Sequence, residues 1–160
     1  MEKSSFRFLG GLNINFQKKL FHPLIISFVV VCIVAGLETL DLYRIFGTYG
    51  ERFEAVINLL IFPATSIIYG WIVKDKIGAI IVGTVPIFIL LFFGNLFFGN
   101  LIYKDGLNIS RFLTILVYAV SLATLGGLAG YFSSKREFKY LIISIFFGIL
   151  WIPVFLSGIN

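Results

Sequence analysis

The sequence predicts an all-α integral membrane protein: a bundle of about five transmembrane helices preceded by a short interfacial amphipathic segment. Three observations carry this. Of the 160 residues, 59% are hydrophobic and 13% charged, and the mean hydropathy is +0.99, far from the composition of a soluble domain. The apolar residues gather into runs of about 20, the length a helix needs to cross a bilayer. Short breaks rich in Gly, Asn, Asp, Lys and Arg separate these runs and read as turns.

Residues 1–22 form the expected surface segment. Lys3, Arg7, Lys18 and Lys19 alternate with Phe6, Leu9, Leu12, Phe16 and Leu20 at close to the spacing of an amphipathic helix lying on a membrane. Gly10 and Gly11 weaken that helix by about 2 kcal/mol. Asn13, Asn15 and Gln17 interrupt the apolar residues, which does not fit a cleaved signal, so the mature chain is expected to begin at or near Met1. Residues 23–160 form one membrane domain, with spans at about 23–42, 53–73, 77–102, 112–132 and 140–159.

Pro23 suits the start of the first span, which ends near Glu38 and Asp41. Gly47 and Gly50 turn the chain into the second span, which contains Pro63. The third span exceeds the length of a straight crossing, so it is expected to tilt or to kink at Pro86. It closes on a tandem FFGNL whose Asn95 and Asn100 point about 140° apart on a helix and form no ladder. Ser110 is expected to cap the fourth span. Asn108 to Ser110 also fits the glycosylation sequon, a three-residue match that is common by chance. Trp151, well inside the fifth span, is expected to pack between helices.

Basic residues set the orientation. With a cytoplasmic N-terminus, that side holds Lys3, Arg7, Lys18, Lys19, Lys74, Lys76, Lys135, Arg136 and Lys139, against Arg44, Arg52, Lys104 and Arg111 outside. This distribution predicts a multi-pass protein of the cell membrane with its N-terminus cytoplasmic and its C-terminus outside. The abundance of Phe, Ile and Lys fits an AT-rich prokaryotic genome.

Two groups of residues stand out. On the fourth span, Ala119, Ala123, Gly126, Gly130 and Ser133 fall within roughly 80° of arc and form a smooth groove that admits another helix closely. Its expected cover is either the Ser144 and Gly148 face of the fifth span or the Ala79 and Gly83 face of the third. On the second span, Glu54, Asn58, Phe62, Thr65 and Tyr69 share an arc of similar width, a polar lane on an apolar helix. With Glu38 nearby, that lane is the candidate path for a solute, since ionisable groups within a membrane are functional suspects.

The formal charge of +5 is scattered at the edges of apolar runs, so it points to lipid headgroups and not to nucleic acid. The single cysteine, Cys32, and the single histidine, His22, supply neither a disulfide nor a metal set, and no cofactor motif is present. His22 reads as an interfacial residue. No nucleophile is paired with a base, and Glu38 with Glu54 at the outer surface is the enzymatic arrangement left open. Two readings of function follow. One is a structural or accessory subunit without catalysis, packing as a homo-oligomer or within a larger membrane complex. The other is a channel or transporter for a small neutral solute along the second span.

Overall fold

A computed structural model describes residues 14–40, 45–94, 102–103, 106–107 and 109–157. Its long helices are α1 (Ile14–Thr39), α2 (Thr48–Val73), α3 (Lys76–Phe88), α4 (Ile109–Ser133) and α5 (Phe138–Ser157). Stretches of α1, α2, α4 and α5 are long and apolar enough to cross a membrane, while the apolar stretch Lys76–Phe92 is shorter. At 1.5 Å per residue it covers about 25 Å, slightly less than a bilayer's hydrocarbon thickness of roughly 30 Å.

Contacts between small residues fix the helix directions. Ser66 and Gly70 of α2 lie against Gly126 and Gly130 of α4, so these two helices run parallel. Ala79 and Gly83 of α3 meet Gly130 and Gly126 in reverse order, so α3 runs against α4. Ser144 meets Ala129 and Phe155 meets Tyr118, so α5 runs against α4 as well. The central helix is α4, with α2, α3 and α5 around it; α1 packs mainly on α3. The core joins Val30 and Val34 of α1 to Phe62, Ile87, Leu122 and Trp151. Trp151 is only 1% exposed, as its place within the span predicts.

Pro23 departs from its expected position. It lies inside α1 and not at its start, because the helix already runs from Ile14. Pro23 has no N–H to give the carbonyl one turn before it. In the next turn, the Ser27 hydroxyl donates to the Pro23 carbonyl at 2.8 Å. Residues 14–22 thus continue directly into the first span, and the remainder of the expected surface segment lies outside the described residues.

The third span differs most from its prediction. Downstream of Pro86, the N–H of Ile89 reaches the carbonyls of both Val85 and Pro86, and the chain widens into a π-helical turn over Ile89–Phe93. A proline removes one rung of the hydrogen-bond ladder, and a π turn is one way a helix absorbs the mismatch. Ile102, expected to end the helix, instead belongs to a short strand, β1 (Ile102–Tyr103). That strand pairs antiparallel with β2 (Gly106–Leu107), Ile102 opposite Leu107 and Tyr103 opposite Gly106. Ser110 is also not a cap, since α4 already includes Ile109. Its carbonyl accepts the Thr114 hydroxyl at 3.0 Å. Asp41, Arg44, Asn95, Asn100, Lys104, Asp105 and Asn108 lie outside the described residues.

The ends carrying the basic turns are tied together. Lys74 ends α2 in a left-handed conformation with φ of 60°, its N–H bonded to the Gly70 carbonyl. Arg136 reaches across from the α4–α5 turn, where its guanidinium donates from Nε to the Trp71 carbonyl and from Nη2 to Ile72 at 2.6 Å. These carbonyls belong to the last turn of α2, which has no helical donors of its own and carries the negative end of the helix dipole.

Candidate functional site

The α4 groove is filled within the chain. Ala119, Ala123 and Ser133 are 0%, 3% and 0% exposed. A methyl group at Gly126 would stand 2.5 Å from the Gly83 carbonyl oxygen, and one at Gly130 would stand 2.6 Å from the Ala79 oxygen. Such distances are below any tolerated carbon–oxygen contact, so the backbones of α3 and α4 touch because both glycines lack a Cβ. From the α2 side, the Ser66 hydroxyl reaches the Gly126 carbonyl at 3.1 Å and the Ser133 hydroxyl donates to the Ile67 carbonyl at 2.7 Å. Of the two expected covers, α3 therefore takes the groove.

The fifth-span residues named with the groove lie elsewhere. Ser144 is buried and donates to the Ala129 carbonyl, on an adjacent strip of α4. Gly148 faces Pro63 and Ile67 of α2.

The lane residues of α2 fall into two groups. Phe62, between Asn58 and Thr65, is 6% exposed and packs on Trp151 with ring centroids 5.8 Å apart. Trp151 in turn stacks on Phe155 at 4.8 Å. On one side of this aromatic layer, Thr65 turns its hydroxyl to its own helix at Ile61. Tyr69 is buried with its hydroxyl 3.4 Å from Nδ1 of the exposed His22. On the other side, Glu54 and Asn58 line a cleft of about 370 Å³ between α2 and the end of α5, completed by Leu59, Phe155 and Leu156 among others. Glu38 falls on the last turn of α1, and its side chain lies outside what the structure describes.

Two buried polar atoms in this region have no hydrogen-bond partner among the described residues, Oδ1 of Asn58 and Nε1 of Trp151. Orphaned groups of this kind cost roughly 1–3 kcal/mol each and call for an explanation. Glu54 has no ion-pair partner among the described residues, where the one ion pair is Lys139 with Glu137 at 2.8 Å.

At the opposite end, the Lys135 ammonium stands 4.1 Å from the Tyr140 ring centroid and 5.0 Å from that of Tyr131. Lys74, Lys76, Arg136 and Lys139, in the turns at this end, are exposed. Among the described residues, no three of His, Cys, Asp and Glu gather as a metal site.

Sequence reading missed Ser66 and the capping role of Arg136. A signal existed for the first, since Ser66 and Gly70 form a small pair at helical spacing on the face of α2 beside the polar lane. Arg136 carries no such signal, because which carbonyls it caps depends on how α2 and α4 end side by side.

The chain is thus a helical bundle of the membrane-protein class, with a packed aromatic layer across its interior and a cleft at the end where α2 begins. Comparison with known proteins adds no relative: no family model, no curated protein and no solved structure matches it.

Proposed function

We propose that the protein is a structural or accessory unit of the membrane, crossing five times with its N-terminus cytoplasmic and its C-terminus outside, and performing no catalysis of its own. The observation that supports this is the aromatic layer of Phe62, Trp151 and Phe155, which fills the bundle where the polar lane would need to be open. Alternating helix directions and the contact of the Phe92 and Phe112 rings at 5.9 Å support counting α3 with its π turn as a fifth crossing, since they bring that π turn level with the start of α4. On this reading, a homo-oligomer or a larger membrane complex engages the outer faces of α1 and α5. The α4 groove is already occupied by α3 and α2. Phe28, Ile33, Phe146 and Ile149 supply such exposed apolar faces.

The alternative, a path for a small neutral solute, is favoured by the cleft at Glu54 and Asn58. Single cysteines at positions 54, 58, 65 and 69 in a Cys32→Ala background separate the two. The structural reading expects a membrane-impermeant thiol reagent to modify positions 54 and 58 from outside and to leave 65 and 69 untouched from either side. Modification at 65 or 69 sinks it in favour of the solute path.

A further inference from the structure

The cleft carries more than its shape. Glu54 and Asn58 stand one helical turn apart on one face of α2, so their side chains are neighbours, with Cβ atoms about 5–6 Å apart. One is a carboxylate without an ion-pair partner among the described residues, and the other buries an amide oxygen that has no hydrogen-bond partner among them either. Both offer acceptors and one carries negative charge, while Leu59, Phe155 and Leu156 add apolar wall. Glu54 lies six residues into α2, about 9 Å along its axis, toward the end of the bundle where that helix begins.

We infer that this cleft binds the primary ammonium group of an amphiphile, either the headgroup of an aminophospholipid or a free alkylamine, with its methylene carbons against Phe155 and Leu156. A primary ammonium has three N–H donors on one small centre: it pairs with the Glu54 carboxylate, and a rotation of the Asn58 side chain brings its oxygen, buried in the unliganded fold, within reach of a second N–H. A trimethylammonium group has none and leaves the Asn58 oxygen unsatisfied. A neutral hydroxyl donates once and leaves the Glu54 charge uncompensated. The volume of about 370 Å³ lies at the small end of ligand sites, matching a headgroup and the first carbons of a chain. This inference is independent of whether the bundle has a partner, because the cleft lies within one chain.

The full chain in phosphatidylcholine nanodiscs doped with phosphatidylethanolamine, released and weighed by native mass spectrometry, provides the test. One phosphatidylethanolamine is expected to stay bound per chain in preference to phosphatidylcholine. Glu54→Gln is expected to weaken that retention about tenfold or more, the effect of losing one charge-assisted contact. Leu156 is 49% exposed, so Leu156→Trp fills the cleft from the other wall without entering the core, and it is expected to abolish retention while the thermal melt stays unchanged. Equal retention of the two lipids, or retention indifferent to both substitutions, overturns the inference. Excess decylammonium is expected to displace the bound lipid and decanol is not. A lipid that decylammonium leaves in place is held through its phosphate, which overturns it as well.

Discussion

Gly83 and Gly126 meet backbone to backbone, close enough that a methyl group on Gly126 would lie 2.5 Å from the Gly83 carbonyl oxygen. Lipid gives helices little hydrophobic reason to associate, so such close approach, with the dispersion contacts it brings, is the main source of cohesion between them. Gly126→Ala is expected to cost about 1–3 kcal/mol, the usual penalty for overpacking, and Gly126→Leu to prevent recovery of folded protein. Combined with Gly83→Ala, the double substitution is expected to depart from additivity, since both force apart the same pair of helices. Denaturation in a mild detergent titrated with sodium dodecyl sulfate measures each.

Arg136 permits a two-way test. It holds a left-handed φ of 54°, which costs a residue with a Cβ about 1 kcal/mol, and it caps the Trp71 and Ile72 carbonyls. Arg136→Ala keeps the strain and loses the caps, whereas Arg136→Gly loses the caps and relieves the strain. Both are expected to melt below the parent, with the glycine variant about 1 kcal/mol more stable than the alanine variant.

Trp151 fills the space between α2 and α5, where it contacts Phe62 and Phe155. Trp151→Ala is expected to cost about 3–5 kcal/mol through the cavity it leaves. Trp151→Phe is expected to cost far less, because it keeps a ring in the layer and removes the orphaned Nε1. Comparing the two melts separates packing from any role of the indole N–H.

Asn58 makes the opposite prediction. Its Oδ1 is buried without a partner among the described residues, so Asn58→Leu, similar in size, is expected to raise stability in amine-free detergent by about 1 kcal/mol or more. A loss of stability there would mean that the amide satisfies itself within the fold.

Much of the architecture was legible because a bilayer imposes it. Runs of apolar residues locate α1, α2, α4 and α5 to within a few residues, apart from the early starts of α1 and α2, since length and hydropathy set what can cross. The groove residues were legible from 100° spacing alone. Which of two helices would cover them was not, because Ala79 with Gly83 and Ser144 with Gly148 offer equally small faces. Local chemistry failed at prolines and at aromatic layers. Pro23 resembles a helix start but is carried inside α1, and Pro86 gives way to a π turn. The polar lane was drawn from one helix, whereas Phe62 is placed by Trp151 on another, a contact that no spacing within α2 encodes.

The small face of α4 is covered by α3 of the same chain. A Cβ at Gly127 would lie 3.0 Å from Cγ2 of Thr84, within reach for a disulfide between cysteines at these two positions. In a Cys32→Ala chain, Thr84→Cys with Gly127→Cys is expected to oxidise to a cross-link that leaves the protein at monomer mobility on a denaturing gel. A disulfide-linked dimer, or free thiols persisting in folded protein, would contradict it.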